Sequence, residues 1–162
     1  MTSEKERFKE FLERCMEQEK GNRKKVKRVD DLPDQMKLAE RYRNQSNYHE
    51  KAARNNLDGE TPLISIKEGY YAMLHKTNEA LALNGFKSNT HECTLLGLRG
   101  IFNKPELTNM LRRAKNERKN VDYYINPKKP KLEEFKNTKE FIKQLINPYL
   151  EQMNQIIEQI KE

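Results

Sequence analysis

The sequence predicts an all-α chain, an up-and-down bundle of four to five helices with an extra N-terminal amphipathic helix in front of it. Two observations carry this reading. Glu, Lys, Leu, Ala, Arg and Gln, the residues with the strongest helix propensity, dominate the chain, which has only six Gly and six Pro. Apolar residues make up 35% and charged residues also 35%, lean for a globular protein, yet the apolar ones recur at helical spacing, as narrow stripes on packed helices would. At 162 residues one domain is expected, divided into an N-terminal helix with a basic linker, 1–33, and a helical bundle, 34–162.

The first helix is expected over residues 4 to 20, with Phe8, Phe11, Leu12, Cys15 and Met16 on one face. Gly21-Asn22 ends it, and Arg23, Lys24, Lys25, Lys27 and Arg28 form a basic cluster before the turn Asp30-Asp31-Leu32-Pro33. Asp34 can cap a second helix bearing Met36, Leu38, Ala39, Tyr42, Ala52, Ala53 and Leu57. Thr61-Pro62 opens a third, threonine suiting the cap and proline the first turn. It is the most apolar helix, with Leu63, Ile66, Tyr70, Met73, Leu74 and Leu81, and is expected at the centre. A loop, 86–90, leads to a short helix from His91 to Phe102, and a long helix follows from Glu106 to Val121. Pro127 and Pro130 break the chain before a last helix from Leu132 toward Glu162, kinked at Asn147-Pro148.

The formal charge of +7 favours an anionic partner, since Lys and Arg gain from counterion release on a phosphate backbone. Cys15 and Cys93 lie far apart without metal spacing and are expected to be reduced and partly buried. No apolar run approaches the roughly 20 residues that span a bilayer, and the N-terminus lacks the apolar stretch of a secretion signal, so a cytoplasmic location without membrane contact is expected. The sequence contains no glycine-rich phosphate loop, HExxH or nucleophile elbow, and neither a cofactor nor a metal site is expected. Glu68 and Glu79 stand too far apart on one helix for paired acid and base work. His49, in a polar stretch, reads as solvated. His91 reads as a capping or surface residue, and His75 as a hydrogen-bonded histidine of the central helix.

The stretch from Glu68 to Leu81, then Asn84-Gly85-Phe86, His91, Leu111-Arg112-Arg113-Ala114 and Glu117-Arg118-Lys119-Asn120-Val121-Asp122-Tyr123 resembles the HEPN family, named for higher eukaryotes and prokaryotes nucleotide-binding. The similarity spans residues 35 to 160. It implies a dimeric helical bundle, often a metal-independent ribonuclease, in which an Arg and, about four to six residues on, a His meet their copies across the two-fold. Arg118 fits the arginine. After four intervening residues, Tyr123 stands where histidine is expected, as in the group lacking the nuclease histidine. A phenol with pKa near 10 is a poor base at neutral pH but can donate to a phosphate.

The resemblance implies RNA or nucleotide bound in an inter-protomer cleft of a homodimer. Arg118 would contact phosphate, with Asn120, Asp122 and Tyr123 lining the cleft and Arg112, Arg113 and Lys115 adding charge. A toxin-antitoxin-like pairing with a minimal nucleotidyltransferase belongs to the same expectation. Lys24 and Lys25 are further nucleic-acid contacts read from the basic cluster. Two rivals stand beside this reading: a non-catalytic helical adaptor subunit, and an active ribonuclease using Tyr123 or His75.

Overall fold

The computed structural model describes residues 3–16, 19–20, 23–57, 62–122, 132 and 134–162, and for Glu19, Lys20, Arg23, Lys24, Pro62 and Asp122 the backbone alone. Helix α1 (Glu4–Phe11) continues into a π-helical turn, Leu12–Met16. Three short strands follow, β1 (Glu19–Lys20), β2 (Arg23–Lys24) and β3 (Val26–Arg28). Then come α2 (Leu32–Asn55), α3 (Pro62–Leu83), β4 (Phe86–Ser88), α4 (His91–Ile101) and α5 (Pro105–Asp122). The last helical stretch is α6 (Thr138–Phe141), a π-turn (Ile142–Ile146) and α7 (Asn147–Lys161). The chain is an all-α bundle, and among the described residues no helix is long and apolar enough to cross a membrane.

Helix α3 is central, touching α2, α4, α5 and α7. One of its faces, Ile66, Tyr70, Met73, Thr77 and Leu81, is buried, the i, i+3, i+4 spacing that keeps side chains on one side of a helix. Leu107, Leu111 and Ala114 of α5, with Tyr149, Met153 and Ile157 of α7, are buried around it. Deep in this core the Thr77 and Tyr149 hydroxyls hydrogen-bond at 2.5 Å, so the buried phenol is satisfied and burial raises its pKa.

The other face of α3 packs antiparallel on α2. Ala39, Tyr42, Ser46, His49 and Ala53 recur on α2 at steps of three and four, and Ser65, Glu68, Ala72, His75, Glu79 and Ala82 do so on α3. This is the spacing of a helix-pair seam. The seam is made of small and polar residues. Ser46 Oγ donates to the Ala72 carbonyl and Ser65 Oγ to the Ala53 carbonyl, each at 2.7 Å, so these hydroxyls bond backbone across the seam at close approach. Lys76 and Glu79 form a buried ion pair at 3.2 Å on the same side of α3.

The N-terminal segment is stitched to the bundle. Phe11, wholly buried, packs with Phe86, Leu81 and Leu96. Gly97 and Gly100 let α1 cross α4 closely: a Cβ on Gly100 would stand 2.9 Å from the Arg7 carbonyl oxygen. Strand β3 pairs antiparallel with β4, Val26 opposite Ser88. Gly85, at φ +88, makes the left-handed turn that lets its carbonyl accept from the Val29 amide at 2.7 Å.

Several sequence expectations are corrected. Cys15 and Cys93 are joined in a disulfide, not reduced, because docking α1 on α4 brings together two residues 78 positions apart. The basic cluster and the 86–90 loop supply the strands β3 and β4. Helix α2 starts at Leu32 with Asp31 at its cap position and Pro33 in its first turn, not after Asp34. The last helix starts at Thr138, where the Asn137 side chain accepts from the Glu140 amide, not near Leu132. The irregularity expected at Asn147-Pro148 takes the form of the π-turn just before it, where a proline without an N–H ends the preceding ladder.

Candidate functional site

The α2–α3 seam opens at one level into a cluster that holds all three histidines of the chain. His49 comes from α2, His75 from α3 and His91 from the first position of α4. Their rings join those of Tyr42, Tyr70 and Tyr71. His75 stacks on His49 at 5.2 Å, on Tyr42 at 6.0 Å and on Tyr71 at 6.4 Å. Tyr71 also meets His49 at 5.5 Å and His91 at 6.3 Å. The Tyr70 hydroxyl and His91 Nδ1 hydrogen-bond at 3.0 Å. Glu68 pairs with His49 Nδ1, both side chains 21% exposed, which places a proton on that nitrogen and turns Nε2 away from the carboxylate.

Arg118 enters from α5. Its guanidinium lies 4.9 Å over the Tyr70 ring and 5.7 Å from that of Tyr71, and Nη1 donates to the Tyr71 hydroxyl at 3.1 Å. Two aromatic faces fix the cation without neutralising it. Arg118 Nε and His75 Nδ1 are buried and have no hydrogen-bond partner among the described residues. Buried polar atoms are ordinarily paired, so these two are polar groups whose hydrogen-bonding capacity the described residues leave unused.

The electrostatics follow the crowding. Burial lowers the His75 pKa to about 4, with His49 and His91 adding to the effect, so this ring is neutral at physiological pH. Burial, then Arg118 and Lys115, also lower His91. Burial, then Lys119, Arg118 and Arg112, lower the Lys115 ammonium, against the pull of Glu92. Tyr70, raised by burial to about 12 despite Arg118, stays a protonated donor. A neutral base, hydroxyl donors and a set of cations that repel one another suit an anion that also needs a proton moved.

The structure sorts the residues expected from sequence. Arg118 and His75 lie in the cluster. Lys115, one turn before Arg118, has its side chain 18% exposed and 4.0 Å from Glu92, at the edge of the cluster. Arg112 is exposed one turn further back. Asn120 does not join them: two residues past Arg118 is about 200° around a helix, so it faces away, and its Nδ2 is buried without a partner among the described residues. Arg113 is also turned aside, paired with Glu134 and set 5.3 Å over Phe135. The Asp122 backbone closes α5 on the Arg118 side, and Tyr123 lies outside the described residues. The Lys25 carbonyl accepts from the Asn89 amide at 2.8 Å, which puts the basic arm beside the start of α4 and His91, while Lys24 is described only as backbone in β2.

Sequence reasoning missed His49, Glu68, Tyr70, Tyr71 and His91 as site residues. His49 is ion-paired in the seam and not solvated, and His91 bonds Tyr70 and does not merely begin a helix. The signal was the three-and-four spacing that puts His49, Glu68 and His75 at seam positions. A groove of about 650 Å³ between α2 and α7, lined by Glu50, Arg54, Glu151 and Glu158 among others, lies elsewhere. Arg54 is held there by Glu50 and Asn147, and no reactive set converges. Among the described residues no three His, Cys, Asp or Glu are arranged to hold a metal ion. No family model, curated protein or solved structure matches the chain, so the chemistry of these groups carries any functional reading.

Proposed function

We propose that this chain binds RNA or a nucleotide by seating a phosphate between Arg118 and His75. The observation that carries the reading is the pair of buried nitrogens without a partner among the described residues, Arg118 Nε and His75 Nδ1, both groups lying against the Tyr71 ring. A phosphate oxygen accepts from a guanidinium in a charge-assisted bond. Lys115, Arg112 and the Lys25 arm extend the positive surface along which a phosphate backbone can run.

The HEPN resemblance supports the same class of ligand and adds two parts to the proposal: a second copy facing the site across a two-fold, and a minimal nucleotidyltransferase partner. Sedimentation of the purified chain should show a dimer, and a single monomeric species at micromolar concentration would remove the shared cleft.

The direct test is fluorescence anisotropy with a labelled oligoribonucleotide. Arg118→Ala should weaken binding by about tenfold or more, the scale of losing one charged hydrogen-bonding group, and should make binding less salt-dependent because fewer counterions are released. Arg113→Ala, on the far side of α5, should change affinity little. Equal loss in both variants would leave only non-specific charge, and no loss in either would remove RNA from the reading.

A second reading, metal-independent RNA cleavage at the same site, is favoured by a specific observation. His75 is held neutral next to the Glu68–His49 pair, which places an acceptor and a donor of protons in one cluster.

A further inference from the structure

We infer that Tyr48 is a stacking platform for an unpaired nucleobase, which makes the ligand of this site single-stranded. The inference rests on the phosphate reading above and adds to it the other half of a nucleotide.

Among the large hydrophobic residues described, Tyr48 is the most exposed, at 70%. Its position is not that of an isolated surface ring. It stands edge-on to His49 at 5.3 Å, and the chain of contacts continues from His49 to Tyr71 at 5.5 Å and from Tyr71 to Arg118. The cluster therefore has two ends. At the inner end Arg118 waits for a phosphate, and at the outer end the Tyr48 ring lies in solvent.

Helix geometry supplies the surroundings. Arg41, Gln45 and Tyr48 follow one another at steps of four and three, so they share one stripe of α2, and all three are exposed. That stripe flanks His49. It offers a cation for a neighbouring phosphate, an amide for a base edge and an aromatic face. These are the groups that recognise single strands, whose splayed bases stack on aromatic side chains. A paired duplex keeps its bases stacked on one another and leaves Tyr48 without a partner. The ring has no packing duty to explain it, since its neighbours on the inner side of α2, Tyr42 and Ser46, already fill the seam.

The chain contains no tryptophan, so Tyr48→Trp puts a single indole reporter at the site. Three forms of the full chain, wild type, Tyr48→Ala and Tyr48→Trp, are titrated with a short unstructured oligoribonucleotide, with the same sequence as a blunt duplex, and with inorganic phosphate. Stacking predicts that Tyr48→Ala weakens the single strand by on the order of tenfold and leaves phosphate binding and the melting temperature unchanged. Tyr48→Trp should retain the affinity, and its fluorescence should be quenched by the single strand and not by phosphate. Wild-type affinity in Tyr48→Ala, or equal binding of duplex and single strand, would overturn the inference. Arg118→Ala in the same titrations separates the two failures: if it abolishes binding while Tyr48→Ala does nothing, the phosphate reading stands and the stacking platform falls.

Discussion

Replacing Cys15 and Cys93 together by alanine should lower the unfolding free energy by about 4.5 kcal/mol, the chain-entropy value for a loop of this size. The bond closes a loop with a sequence separation of 78, and without it the unfolded ensemble regains that freedom. Both cysteines are buried, at 0% and 2% exposure, so lost contacts add to the effect. Reductant should reproduce the drop in the wild type and leave the double variant unchanged in denaturant titrations. Two thiols titrating in the native, air-exposed protein would show that the bond does not form. The result also bears on location, because a bond of this kind persists in oxidising compartments and is uncommon in a reducing cytoplasm.

The disulfide marks one boundary of what a sequence conveys. Helix positions were legible because apolar spacing and the Thr61-Pro62 and Gly85 signals are local: α3, α4 and α5 lie within a residue or two of where those signals place them. The Cys15–Cys93 pairing depends on α1 crossing α4, a tertiary event with no local trace. Strands of two or three residues show too little alternation to register, so β3 and β4 read as linker and loop. The site was partly legible. Arg118 and His75, which the structure brings into one cluster, had been singled out through the family resemblance. His49 was hidden by its polar neighbours, although its step of three from Ser46 and four to Ala53 put it on the buried side of α2. That Asn120 faces away from Arg118 was legible too, since its offset of about 200° follows from numbering alone.

Why a helix pair tolerates a polar layer at its seam bears on function. Ala or Leu at 49, 68 and 75 would pack without desolvating charge, and a half-buried ion pair is weak evidence of stability in itself. Here the layer leaves His75 Nδ1 and Arg118 Nε without a partner among the described residues, an arrangement that costs stability in the free protein. Departures of this kind from local rules concentrate at functional sites.

If the cluster cleaves RNA, His75→Gln should reduce the rate by about 10² to 10⁴-fold, the usual worth of a positioned general base, while the affinity for RNA stays near that of the wild type. Glutamine keeps the size and a hydrogen-bonding group but cannot take a proton. In this scheme His75 removes the proton of the ribose 2′-hydroxyl, whose oxygen attacks the phosphorus. Arg118 and the Tyr71 hydroxyl hold the phosphate oxygens, and the His49 ring, oriented by Glu68, delivers the proton to the departing 5′-oxygen. The pH profile tells which histidine is the base. An unperturbed imidazole would lose activity as pH falls through about 6.5, whereas His75, lowered by burial to about 4, remains unprotonated well below that. The acid limb of kcat/KM, which reports the free enzyme, should therefore fall near 4 and shift or vanish in His75→Gln. Cleavage should persist with a chelator present. Glu68→Gln should lower the rate by a smaller factor, since it loosens the donor and leaves the base intact. An acid limb near 6.5 that survives in His75→Gln would assign the base to another group, with His91 the next in reach of Arg118. Tight binding of RNA with no cleavage across this range would leave the chain a binder, its three histidines serving to shape and orient the phosphate pocket.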